Sequence, residues 1–187
     1  MSSLSQYFTM QDVVTITSGK RRKWFNAHSD IKESGSLADT QLIIKNYYSF
    51  SGITLSGTGD SNLSLTQMMP KSWDGGPIRF RIGWHTTSAN TGNVQFRAIA
   101  ANQTASGETF GSGVGSAVQF SQAAPGAIDR FMLTDWSPLL TIVGWDENHY
   151  MSTLLQRFAS QPTDTHESAI VFIGAEMEYT TNAPTDD

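Results

Sequence analysis

The feature that most constrains this chain is a run near its middle, Pro77-Ile78-Arg79-Phe80-Arg81-Ile82-Gly83-Trp84, in which Ile78, Phe80, Ile82 and Trp84 alternate with Arg79, Arg81 and Gly83. Side chains repeat every two residues only on extended backbone, so the run predicts a half-buried strand with one apolar and one polar face. The residues just before it, Met69-Pro70-Lys71-Ser72-Trp73-Asp74-Gly75-Gly76, carry turn chemistry. Glycines tolerate positive φ, and prolines fix φ and remove an amide donor. A loop feeding a core strand is the expected local structure, with the residues of this stretch as scaffold.

The rest of the chain repeats this texture in weaker form. Asp12–Ser18 is β-branched and reads as a short strand, and 26–40 is polar and aperiodic. From 41 onward, segments at 41–45, 46–51, 62–66, 94–100, 117–120, 127–136, 139–145 and 168–180 have β propensity, separated by Gly, Asn, Asp and Pro turns. Val94, Phe96, Ala98 and Ala100 suggest a hairpin partner for the central strand, and 101–116, with four glycines, an exposed loop. Residues 149–160 also fit a helical spacing through Tyr150, Leu154, Arg157 and Phe158, but strand is favoured because the neighbours are strands. Residues 161–167 read as a polar turn. In 168–180, Val171, Ile173, Ala175, Met177 and Tyr179 share one face, and Ile170, Phe172, Gly174, Glu176 and Glu178 the other. Being apolar on both sides early, that strand should begin in the interior of a sheet.

Roughly eight strands between 46 and 180 predict an all-β fold, an antiparallel two-sheet sandwich of jelly-roll type. An extended N-terminal arm, 1–45, would precede a sandwich domain at 46–187. Composition agrees: only 16% of residues are charged, and twenty aromatics supply buried area. The chain has no cysteine, which excludes disulfides and thiolate metal sites. No apolar run approaches the length of a membrane span, and Met1-Ser2-Ser3-Leu4-Ser5 lacks a basic and then apolar leader, so a soluble protein made in the cytosol is expected.

Charge is unevenly placed. Residues 1–45 carry a net +2 and the remainder a net −7, giving the overall −5. Lys20-Arg21-Arg22-Lys23, followed by Trp24 and Phe25, is the basic cluster that stands out. It could be a solvated loop, a contact for an acidic protein surface, or a grip on a nucleic-acid backbone, for which four cations are few. Docking on an acidic neighbour is the functional expectation for Lys20, Arg21, Arg22, Lys23, Trp24 and Phe25.

Catalytic patterns are sparse. The histidines at 28, 85, 149 and 166 form no metal-binding pair, and no metal or cofactor is expected. Thr163-Asp164-Thr165-His166-Glu167 reads as an ordinary polar turn, and His85 as a structural histidine pointing opposite Trp84. Gly59-Asp60-Ser61 resembles the opening of a hydrolase motif but fits a glycine turn better. Gly111-Ser112-Gly113-Val114-Gly115 lacks the lysine of a phosphate loop. Trp136 and Trp145, beside Asp135, Asp146 and Glu147, could form an aromatic platform for a sugar, with a core or subunit contact as the plainer reading.

The central block Met69–Gly76 and the alternating strand to Trp84, with Leu139-Leu140-Thr141-Ile142 and the closing Glu178-Tyr179-Thr180-Thr181-Asn182-Ala183-Pro184-Thr185-Asp186, resemble a group of small tailed-bacteriophage virion proteins frequent in cyanophages. The resemblance covers about 60–187. It implies a non-enzymatic jelly roll on the particle, a homotrimer acting as capsid cement or decoration and bound to the major capsid protein or another virion protein. The alternative is a tail- or head-fibre domain that binds host carbohydrate. The chain departs from that pattern between 146 and 168, where the others are more acidic and alanine-rich.

Overall fold

The computed structural model describes residues 19–27, 31–33, 38–45, 48–104, 114–142 and 150–182. They form eleven strands: β1 (Gly19–Asn26), β2 (Ile31–Glu33), β3 (Ala38–Lys45), β4 (Tyr48–Leu55), β5 (Ser61–Met68), β6 (Arg79–Thr86), β7 (Thr91–Thr104), β8 (Val114–Pro125), β9 (Phe131–Leu133), β10 (Tyr150–Arg157) and β11 (Ile170–Thr181). Every strand pairing is antiparallel. One sheet of six strands runs β3-β4-β11-β6-β9, with β1 also on β11, and the other of five runs β2-β5-β10-β7-β8. The all-β sandwich expected from the sequence is the fold observed.

The central alternation is realised as β6. Phe80, Ile82 and Trp84 are buried between the sheets with Phe25, Ala175 and Met177 of the same sheet and Leu63, Leu65, Phe96 and Leu155 of the other. Trp84 joins the two layers: its ring lies 6.4 Å from Phe96, and its Nε1 donates to Gln122 Oε1 at 2.8 Å. The loop before β6 is scaffold, as expected. Gly76 N donates to Asp74 Oδ1, Asp74 N to the Thr180 carbonyl and Asn182 N to that of Ser72, so the turn closes the end of β11 and buries Trp73 completely.

Several expectations are corrected. The segment 1–45 is not simply an arm, because β1 pairs with β11 over eight residues and β2 and β3 join opposite sheets. Residues 1–18, including the expected strand at 12–18, lie outside the described residues. The segment 94–100 is not the hairpin partner of the central strand: β7 pairs with β10 and β8 in the other sheet. The connection from β6 crosses the sandwich, and alternation specifies a face without specifying a neighbour. Residues 150–157, by contrast, are strand, the reading favoured from the sequence.

Segment 127–142 contains only the short β9. After it the chain follows β6 irregularly: Thr134 and Ser137 place side-chain hydroxyls against the amides of Ile82 and Phe80 while their own amides donate to the carbonyls of the same two residues. Hydroxyls thus take the role of ladder carbonyls, and Trp136 sits on the bulge between them. In β11 the register shifts between Phe172 and Gly174. That bulge exchanges the faces, so Phe172, Ala175 and Met177 all enter the core, and strict alternation through 168–180 does not hold.

Candidate functional site

The outer face of the six-stranded sheet collects the chemistry that the sequence leaves scattered. Three neighbouring strands carry it, and the register aligns Arg22 of β1 with Glu178 of β11 and Arg79 of β6, then Trp24 with Glu176 and Arg81. Glu178 is 4% exposed and is bound by Lys20 at 3.4 Å, by Arg22 at 3.1 Å and by Arg79 Nη2 at 2.6 Å. Arg81 Nε reaches Glu176 Oε2 at 2.5 Å. Burial pushes the Glu178 carboxyl up, but the hydrogen bonds from Arg79, Arg22 and Lys20 and the charge of Arg79 more than reverse this, so its pKa lies below the ordinary value.

Trp136, held on the bulge described above, lies among these cations. The guanidinium carbons of Arg81, Arg79 and Arg22 stand 4.8, 4.9 and 5.2 Å from its ring centroid, within cation–π range. Each arginine is therefore held by a carboxylate and by an indole, which leaves little freedom in the guanidinium plane.

The next row along the same face is aromatic. Gly174 and Gly83 face each other across β11 and β6, and Trp24 extends over both. A Cβ at Gly174 would lie 2.6 Å from Trp24 Cζ2, and one at Gly83 would lie 2.8 Å from Trp24 Cη2 and 3.2 Å from Phe131 Cε2. The glycine pair thus forms a floor for Trp24, and Phe131 approaches it above Gly83; the two rings are 38% and 59% exposed. Trp24 Nε1 donates to Asn26 Oδ1 at 3.0 Å, which fixes the indole further.

Of the residues expected to dock, Lys20, Arg22 and Trp24 share this face, and Trp136 joins them from more than a hundred residues away. The other half of the cluster does not. Alternation sends Phe25 into the core, with Lys23 Nζ 5.0 Å above its ring, and Arg21 shares that parity. Phe25 is therefore removed from the docking set for a packing reason: it pairs with Ala175 and fills the interior. Trp145, with Asp146 and Glu147, lies outside the described residues. Arg79, Arg81, Glu176, Glu178 and Phe131 were not anticipated, although the complementary signs on the polar faces of two strands were visible in the sequence.

No protein-family model matches the chain, and no curated protein matches it. Among solved structures it is similar to a family 11 carbohydrate-binding module from Clostridium thermocellum in complex with a β-1,3-1,4-mixed-linked tetrasaccharide, at 11% identity and TM-score 0.43 over 83% of this chain and 94% of that one. It is also similar to a CBM36 domain of a multidomain xylanase from the hindgut metagenome of Trinervitermes trinervoides, at 12% identity and TM-score 0.44 over 84% and 96%. A Shewanella oneidensis protein of unknown function aligns at 10% identity and TM-score 0.36 over 97% and 98%.

Elsewhere the polar candidates have structural roles. The 163–167 segment is not an ordinary polar turn: Arg157, fully buried, donates through Nε and Nη2 to Asp164 at 3.2 and 3.1 Å and through Nη1 to the Ser168 carbonyl at 2.7 Å. His166 is buried there, its ring edge-on to Trp84 at 6.4 Å. His85 is buried, with Nε2 3.7 Å from Asp129. Asp60 accepts from both the amide and the hydroxyl of Ser160, which supports the turn reading of Gly59-Asp60-Ser61. Among the described residues no group of three or more His, Asp or Glu is placed to hold a metal ion.

Proposed function

We propose that this protein is a non-catalytic carbohydrate-binding β-sandwich, borne on a virion as a receptor-binding domain. The observation that carries the reading is the exposed Trp24–Phe131 platform over the Gly83–Gly174 floor. The apolar C–H face of a pyranose packs against an aromatic ring, while its hydroxyls bond polar groups at the margin, here Asn26, Glu176 and Arg81. Side chains fixed beforehand lose little entropy on binding. The non-catalytic part rests on how the carboxylates are used: Glu176, Glu178, Asp164 and Asp60 are each held by ion pairs or hydrogen bonds that organise the fold.

A glycan array probed with the full chain tests this. Binding is expected, and Trp24→Ala and Phe131→Ala should remove it without lowering the melting temperature by more than a few degrees. An array with no signal, or a signal unchanged in both variants, would refute it. The resemblance to virion proteins favours a second reading, a homotrimeric cement protein with Lys20 and Arg22 on the major capsid protein. Copy number discriminates: hundreds per particle fit cement, and a few or tens fit a fibre.

A further inference from the structure

We infer that the carbohydrate bound on this face is an acidic one, with its carboxylate or sulfate group received by the arginines around Trp136. The inference rests on the carbohydrate reading and narrows it to a ligand class. Lys20, Arg22, Arg79 and Arg81 are four cations placed among two carboxylates, Glu176 and Glu178, so the ion-paired group carries net +2 on a chain whose overall charge is −5. Self-neutralisation of the ladder is incomplete, and the excess is cationic.

The excess charge is also accessible and oriented. The side chain of Arg22 is 52% exposed and those of Arg79 and Arg81 are each 27% exposed, while Glu178 takes the Nε donors of Arg22 and Arg79 together with Arg79 Nη2, and Glu176 takes Nε of Arg81. A guanidinium carries five N–H donors in a rigid fork that matches a carboxylate or sulfate. Cation–π contact with Trp136 holds all three forks on one ring without consuming those donors.

Register places the two parts side by side. Trp24 lies opposite Glu176, which in turn lies opposite Arg81, and the Trp24 ring extends over the neighbouring Gly174–Gly83 row, so platform and arginine group occupy neighbouring rows about 7 Å apart along the strands. An acidic protein surface would satisfy the cations and can also use exposed aromatics; binding of such a surface with no glycan bound is the outcome that overturns both readings. A polymer with alternating apolar ring faces and acidic substituents satisfies both.

The test measures binding of the full chain to polygalacturonate, dextran sulfate and neutral dextran by affinity electrophoresis and calorimetry. Polygalacturonate and dextran sulfate separate a carboxylate from a sulfate preference. At least one acidic polymer should bind more tightly than dextran, with affinity falling as salt rises. Arg22→Gln should weaken acidic binding by about tenfold and more than it weakens any neutral binding, while Arg22→Lys, which keeps the charge but loses the fork, should recover only part of the affinity. Sugar binding with no acidic preference, or unaffected by Arg22→Gln, overturns the inference and leaves the carbohydrate reading standing. Absence of binding to any glycan, on these polymers and on the array, overturns both.

Discussion

The indole of Trp24, carried by β1, occupies the space above Gly174 of β11 that a methyl group would need, with Cζ2 only 2.6 Å from the Cβ position. At Gly174 a Cβ would also meet the Phe25 carbonyl oxygen at 2.5 Å, whereas at Gly83 it meets only the far ends of Trp24 and Phe131. Backbone yields less readily than a ring edge. Gly174→Ala should therefore destabilise by about 1–3 kcal/mol and Gly83→Ala by less, as for overpacking generally. Urea titration ranks the two, and altered tryptophan emission in both would show that Trp24 has moved.

Arg157 should be among the costliest positions to substitute. Its guanidinium is buried and is shared between Asp164 and the carbonyls of Ser168 and His166. Removing it leaves the buried Asp164 carboxylate with the amides of Gln95 and His166 but without this cation, and takes a donor from two carbonyls. Arg157→Ala should cost about 3–5 kcal/mol by denaturant unfolding. A double substitution with Asp164→Ala should cost less than the sum of the two, because the uncompensated charge is then gone.

Stability should fall in mild acid through His166. Burial, then the charge of Arg157, lowers its pKa below the ordinary 6.5, against opposing contributions from Asp164 and the Thr91 backbone. The unfolded chain therefore binds the proton more readily. The stabilisation is fully present above about 6.5 and is lost as pH falls from there through the folded pKa. Melting temperature against pH should show this decline, and His166→Phe should flatten it.

Glu178 produces a separate decline at lower pH. Its folded pKa lies below the ordinary 4.5, so its contribution is complete above 4.5 and disappears as pH falls through the folded value. Glu178→Gln removes the negative charge shared by three cations and replaces one acceptor oxygen with an NH2 donor, and should cost about 2 kcal/mol. The same change raises the positive excess of the face, so affinity for an acidic polymer should rise if the variant remains folded. Calorimetry of the variant with polygalacturonate and dextran sulfate checks that sign.

Much of the architecture was legible locally. Period-two alternation identified β6 and most of β11, and the Asp74-Gly75-Gly76-Pro77 turn identified how β6 begins. Low charge and frequent turn residues pointed to a sandwich. Legibility failed where side chains replace backbone in the ladder, at Thr134 and Ser137, and where the Phe172–Gly174 bulge reverses the faces. Neither event leaves a periodic mark.

The sequence alone located the strands of the sandwich other than β1 and β2, the inward set Ile78, Phe80, Ile82 and Trp84, and the polar character of Arg79, Arg81, Glu176 and Glu178. These are properties of spacing along one strand. Only the tertiary structure decided that β1 and β6 flank β11, which brings Arg22, Glu178, Arg79 and Trp136 into one group and lays Trp24 over Gly174 and Gly83. The reason is physical: an alternating strand specifies which face it buries, but its neighbours are chosen by the packing of the whole sandwich. A site composed of residues from three strands and a bulged segment exists only after that choice.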